Sequence, residues 1–203
     1  RGPLIEEART NLLDYSSEFD NAPWTKTSVT VTDNATTAPD GTLAANGVTG
    51  VAGSGNKNIT QNRFASAGTY TGSVYLKAGS QTVVLVRTND NAVANGARVT
   101  VNLTNGTLGA VVTAGTATNS SATINNVGSG WFRVSLTTTY VDALTHLQLN
   151  TWHDTYGPSS SENTYYIWGA QLEAGSAPSS YIPTTTGAVT RNADQLSYAT
   201  ANW

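Results

Sequence analysis

Between residues 70 and 77 the side chains change character at every step: Tyr70, Gly72, Val74 and Leu76 fall on one face of an extended strand, Thr71, Ser73, Tyr75 and Lys77 on the other. A period of two predicts a strand with one face in the core and one face wet. The same alternation sets Val99, Val101 and Leu103 against Arg98, Thr100 and Asn102, and Phe132, Val134 and Leu136 against Trp131, Arg133 and Ser135. It returns with Leu147, Leu149 and Thr151 against Gln148, Asn150 and Trp152, and a last strand is expected at 165–172. These stretches are short, rich in Thr, Val and Tyr, and divided by clusters of Gly, Asn, Ser or Pro, which is the rhythm of a sandwich or barrel.

Asn105-Gly106 stands between two alternating stretches and predicts a hairpin, because both residues tolerate positive φ. The run from 46 to 62 is so rich in Gly, Asn and Ser that it reads as a long surface loop, with at most a short strand at 48–51. A helical pattern is confined to 6–15, where Asn11-Leu12-Leu13 would equally open a strand. The chain divides into a lead-in (1–14), one β-sandwich module (15–183) and a linker (184–203) towards a following module.

Composition narrows the function. Only 11% of the 203 residues are charged, yet 38% are hydrophobic and five are Trp, so the chain has the means to fold around a core. A net charge of -3 with no basic cluster offers little to a phosphate backbone, which argues against nucleic acid as partner. With no Cys, disulfides and thiolate chemistry are excluded. No apolar run reaches the roughly 20 residues of a membrane helix, and no membrane insertion is expected. Met is absent, even at position 1, and the chain is read as a processed or excised piece.

Four phrases, YSSEFDNAPW (15–24), GTYTGSVYLKAGS (68–80), GSGWFRVSLT (128–137) and YYIWGAQLEAG (165–175), are similar to the jelly-roll domains of bacteriophage tail-fibre and related structural proteins. EEARTNLL (6–13) and SYIPTTTGAVTRNAD (180–194) are the most specific parts of the likeness. Those domains resemble the galactose-binding-like fold of carbohydrate-binding modules. The resemblance implies an all-β, two-sheet antiparallel β-sandwich (jelly roll), carbohydrate-binding-module-like, on a virion surface or otherwise extracellular. It also raises a structural calcium: the acidic position after the first strand corresponds to Asp20, with Glu18 nearby, and the last-strand position falls near Gly169, which has no side chain. Ca²⁺ takes about six to eight oxygens, so here it would draw on backbone carbonyls as well.

Sugar binding calls for aromatic faces beside planar polar groups. Gln148, Asn150 and Trp152 share the wet face of one strand, and His153, Asp154 and Tyr156 follow. Tyr75 and Lys77 share the wet face of a second, and Arg87, Asn89 and Asp90 end a third. If these strands are neighbours in one sheet, they form a shallow polar-aromatic cleft. Trp131 and Trp168 read as packing residues, Trp24 as closing the sandwich end, and Trp203 as part of the junction.

Catalysis is not expected. YLKAG (75–79) is similar to a motif of jelly-roll polysaccharide lyases, but His146 lies N-terminal to Gln148 and the facing Arg-rich strand is missing, so Tyr75 has no base. Two histidines do not make a three-histidine metal site, no GxSxG or HExxH occurs, and the carboxylates crowd the N-terminus. Sequons at Asn34, Asn58, Asn102, Asn105 and Asn119 are what so much Asn, Ser and Thr yields by chance. The expectation is a non-catalytic glycan-binding module of a tail fibre or spike, as a homo-oligomer (trimer) in the full-length protein. The alternatives are a purely structural, oligomerising fibre module, and a carbohydrate-binding appendage of a secreted polysaccharide-degrading enzyme.

Overall fold

The computed structural model describes residues 5–53, 55–90, 94–141, 147–153 and 160–195. Among the described residues fifteen strands follow one another: β1 (Arg9–Asn11), β2 (Thr25–Thr27), β3 (Val29–Thr36), β4 (Ala45–Gly50), β5 (Asn58–Arg63), β6 (Gly68–Ala78), β7 (Val83–Asp90), β8 (Gly96–Asn102), β9 (Thr107–Leu108), β10 (Val112–Ala114), β11 (Thr118–Gly128), β12 (Trp131–Tyr140), β13 (Leu147–His153), β14 (Thr164–Ala174) and β15 (Val189–Arg191). A seven-stranded sheet runs β10-β8-β7-β13-β5-β2, with β9 also on β8, and a six-stranded sheet runs β11-β12-β6-β14-β4-β3. Every pairing is antiparallel. The chain is a two-sheet antiparallel β-sandwich.

One core fills the space between the sheets. Val84, Val86, Val99, Val101, Leu149 and Ile59 meet Val74, Leu76, Val134, Leu136, Ile167 and Leu172, all of them buried. Thr151 and Tyr165 share a hydroxyl–hydroxyl bond of 2.8 Å across the gap. At Gly72 the facing sheet packs tightly, since a Cβ there would stand 2.8 Å from both Leu149 Cδ1 and Thr88 Cγ2. Trp24 seals one end against Phe19, ring centroids 4.6 Å apart, and donates its indole N–H to Tyr15 O at 2.9 Å.

The alternating stretches form strands where expected, but the outer face of the six-stranded sheet is not wet. Thr71 and Ser73 are buried there, as are Trp131 and Trp168. A third layer covers them. Trp131 donates to Thr37 O (3.0 Å), Thr71 to Gly175 O (2.8 Å), and Ser179 N to Glu173 Oε2 (3.2 Å). Local alternation reports two faces and says nothing of what a distant segment lays over one of them.

One reading of the sequence is corrected. The expected loop at 46–62 contains most of β4 and most of β5, strands flanked by partners on both sides. Its polar residues are tolerated because they are bonded: buried Asn46 accepts from Phe19 N (2.7 Å) and donates to Asp33 Oδ1 (2.7 Å). Of the two alternatives at 6–15 the strand is the one that forms: β1 pairs with β15 in a two-stranded ribbon that joins the lead-in to the expected linker. The Asn105-Gly106 hairpin is present, with β9 folding back on β8 (Val101 opposite Leu108) and Gly106 at φ 67°. Trp203 lies outside the described residues.

Candidate functional site

The outer face of the seven-stranded sheet is built by register. Across β13 and β7, Gln148 stands opposite Asn89, Asn150 opposite Arg87 and Trp152 opposite Leu85. Across β13 and β5, Asn150 stands opposite Thr60 and Trp152 opposite Asn58, which in turn faces Thr27 of β2. A pleated strand sends alternate side chains the same way, so these residues form one polar surface while Leu149 and Thr151 face the core.

Three amides at its centre hold one another. Asn89 Nδ2 donates to Gln148 Oε1 (2.8 Å) and to Asp90 O (2.6 Å). Asn150 Nδ2 donates to Asn89 Oδ1 (2.9 Å) and to Gln148 Oε1 (3.2 Å). Hydrogen-bonded amides of this kind are fixed in orientation before any ligand arrives. Around them lies a concavity of about 310 Å³ lined by Thr27, Asn56, Asn58, Thr60, Arg87, Gln148, Asn150 and Trp152. Hydroxyls, amides, a guanidinium and an indole thus converge on one hollow. It is equipped to match hydroxyl groups by hydrogen bonds and an apolar CH face by the Trp152 ring.

The sequence-predicted residues separate into three groups. Arg87, Gln148, Asn150 and Trp152 line the hollow together, each of them buried at 5–8% exposure, and Asn89, with no exposed surface, bonds to Gln148 and Asn150. Tyr75 and Lys77 do not join them, because β6 belongs to the six-stranded sheet. Tyr75 packs edge-on against Trp168 (5.2 Å) with the Arg133 guanidinium over its ring (5.3 Å), and the Lys77 ammonium lies 5.9 Å from the Trp131 ring centroid. His153 is also displaced from the expected cleft: β13 runs one residue further than Trp152, so parity turns His153 inward, where it is fully buried and bonds Asn163 O. Tyr156 and Asp154 lie outside the described residues.

Asn58, Thr60, Thr27 and Asn56 were missed by sequence reasoning. Asn58 and Thr60 alternate with Ile59 and Gln61 in β5, a period-two signal hidden by the surrounding Gly, Asn and Ser.

At the acidic positions near the first strands, the Glu18 carboxylate accepts from Asn21 Nδ2 (3.0 Å). The carbonyl oxygens of Asp20 and Asn21 are taken by the Lys26 ammonium at 2.7 and 3.0 Å. A calcium ion drawing on those carbonyls would have to displace a cation already in place. Gly169, at φ 59° in the β14 bulge, adds no side chain, and among the described residues no three acidic or imidazole groups converge. Among the described residues the Glu18 and Asp20 positions therefore present no preformed cage of oxygens for calcium.

A larger hollow, about 400 Å³, lies beside the terminal ribbon between Ile5 and Ser179. Its charged groups are engaged with one another, Glu6 with Arg191 and Arg9 with Glu7 at 3.6 Å. Burial pushes the Glu6 carboxyl up, but hydrogen bonds from Arg191 and Ser180 outweigh it and hold the group at about 2, below its ordinary 4.5. These groups secure the ribbon rather than present a ligand site.

No protein-family profile matches the chain, and no curated protein matches it. Among solved structures the chain is similar to the enzymatically active domain of tailspike protein 4 of bacteriophage CBA120, at 16% identity and a TM-score of 0.47, over 80% of this chain and 21% of that one. It is also similar to TmCBM61 in complex with β-1,4-galactotriose, at 13% identity and a TM-score of 0.48, over 81% of this chain and 99% of that one. The chain therefore spans about a fifth of the tailspike chain. Neither likeness transfers a residue's role.

Proposed function

We propose that the chain is a carbohydrate-binding module whose site is the outer face of β7, β13 and β5, and that it acts by binding rather than by catalysis. The observation that carries this reading is the convergence of Arg87, Asn150, Gln148 and Trp152 on one hollow of about 310 Å³ whose other lining groups are amides and hydroxyls. Sugars present hydroxyls at fixed spacing and an apolar ring face, and a pre-set amide lattice beside an indole is matched to both. Among the described lining residues there is no carboxylate and no imidazole, the groups that general acid–base chemistry uses most. We place the module on a phage tail fibre or spike, where it would recognise glycan on a host surface. Weak single-site affinity suits that setting, since tethered copies raise avidity by about 10² to 10⁴.

The test is a glycan array with polysaccharide affinity gels on the chain, on Trp152→Ala and on Tyr75→Ala, with calcium present and chelated. Binding is expected to fall at least about tenfold in Trp152→Ala, to survive Tyr75→Ala, and to be indifferent to chelation. Sugar release from a bound polymer would overturn the non-catalytic role. Failure to bind any glycan would favour the structural reading.

A further inference from the structure

One rung of the seven-stranded sheet crosses the hollow. Arg98 of β8 stands opposite Arg87 of β7, Arg87 opposite Asn150 of β13, and Asn150 opposite Thr60 of β5. Two guanidinium groups thus adjoin on neighbouring strands, and directly opposed side chains have Cβ atoms about 4.5–5.5 Å apart, a distance at which like charges are destabilising. Among the described residues, Arg87 and Arg98 are the only ionisable side chains that the strands of this sheet direct to the outer face. Lys26, Arg63, Asp90 and His153 have the parity of core residues Ile59, Val86 and Leu149.

The next members of the rung offer the opposite polarity. Asn150 has two amide N–H groups, and both are taken, one by Asn89 Oδ1 at 2.9 Å and one by Gln148 Oε1 at 3.2 Å. What it offers a ligand is its carbonyl oxygen, an acceptor for a hydroxyl proton. The Thr60 hydroxyl gives its own proton to Leu149 O at 3.3 Å and is left to accept as well. Along the rung the surface changes from paired cations to hydroxyl acceptors. The whole chain carries a net charge of -3, so any attraction of this hollow for an anion is local and runs against the sign of the molecule.

We infer that the ligand of this hollow is an acidic glycan, one whose sugar residues carry a carboxylate or a sulfate. The anionic group lies at Arg87 and Arg98, and ring hydroxyls point to Asn150 and Thr60. The inference rests on the glycan reading of the site and narrows it. A guanidinium binds a planar anion through two parallel N–H bonds, and an anion between two facing guanidiniums also offsets their repulsion. Trp152, two residues along β13, gives its apolar contact to a charged and a neutral sugar alike, so the arginines set the preference.

Affinity electrophoresis of the full chain tests this with polygalacturonate, alginate and carrageenan, each beside its carboxyl-reduced or desulfated counterpart, at low and high salt. The charged member of at least one pair is expected to bind at least about tenfold tighter than its neutral counterpart, with a preference that shrinks as salt rises. Arg87→Gln and Arg98→Gln are each expected to cut that preference about threefold or more. Arg133→Gln, which removes the same charge from the six-stranded sheet, is expected to leave it unchanged. Circular dichroism checks that each variant folds, and Arg98 is only half-buried, so its variant carries the test if Arg87→Gln does not fold. Equal binding of both members of every pair, lost in Trp152→Ala, would overturn the acidic preference and leave the glycan reading standing. A preference that Arg133→Gln weakens as much as Arg98→Gln would overturn it too, because general charge would then be its source. Retention of no polymer, charged or neutral, in this panel or on the glycan array would overturn both.

Discussion

Asn89 has no exposed surface, yet three hydrogen bonds pass through its amide, to Gln148, Asn150 and Asp90 O. Its role is to hold the two amides that line the hollow. Truncating it leaves buried partners unsatisfied, and Asn89→Ala is expected to cost about 1–3 kcal/mol of stability, read from chemical denaturation, together with weaker glycan binding. Trp152→Ala should lose binding with a smaller loss of order in the amide lattice, since the bonds between Asn89, Gln148 and Asn150 join those amides directly to one another. The Glu6–Arg191 pair makes a separate residue-scale prediction. The Glu6 carboxyl is lowered in the folded chain from 4.5 to about 2, so its contribution is complete above about 4.5 and is lost as pH falls towards 2. Melting temperatures measured between pH 7 and pH 2 should fall across that window in the wild type, and Glu6→Gln should flatten that part of the fall.

At the scale of elements, Gly72 leaves room for side chains of the facing sheet. A methyl group there would meet Leu149 and Thr88 side chains from the facing sheet. Overpacking a tight core costs about 1–3 kcal/mol, so Gly72→Ala should destabilise by that amount, and combining it with Leu149→Ala should cost less than the sum of the two single changes. Chemical denaturation of the four proteins measures this.

Elements are also where the sequence was most legible. Strands such as β6, β8, β12 and β13 announce themselves because each puts Val, Leu or aromatic residues on one side. β4 and β5 are hidden because Asn46 and Gln61 stand at the same parity as core Val48 and Ile59, where apolar residues are usual, and their side-chain bonds to distant groups make that acceptable. Alternation correctly assigned Gln148, Asn150 and Trp152 to one face of β13. It carried no information on which sheet β6 joins, so Tyr75 and Lys77 were grouped with a face they do not share. His153 turned inward through one extra residue of strand, a detail that depends on Lys57 O accepting from His153 N at 2.8 Å.

For the molecule as a whole, the early and late segments of the described chain are tied together. Buried Asn11 donates to Ala170 O (3.1 Å) and Ile182 O (3.0 Å), while its Oδ1 accepts from Leu13 N (3.2 Å) and Leu172 N (3.1 Å). One amide thus joins β1, β14 and the 175–184 cover, and Leu13 beside it is part of the core. Asn11→Ala should lower stability by about 1–3 kcal/mol in a single cooperative transition, since these segments pack as one body. The same architecture leaves the outer face of β7, β13 and β5 as the surface where polar groups converge on a hollow. The central claim is that glycan binds there. Backbone amide chemical-shift mapping of the chain titrated with a polysaccharide it retains tests this most directly. Shifts centred on Asn58, Thr60, Arg87, Gln148, Asn150 and Trp152 are the result this account predicts. Shifts centred instead on Tyr75, Lys77 and Arg133, across the outer face of the six-stranded sheet, would contradict it.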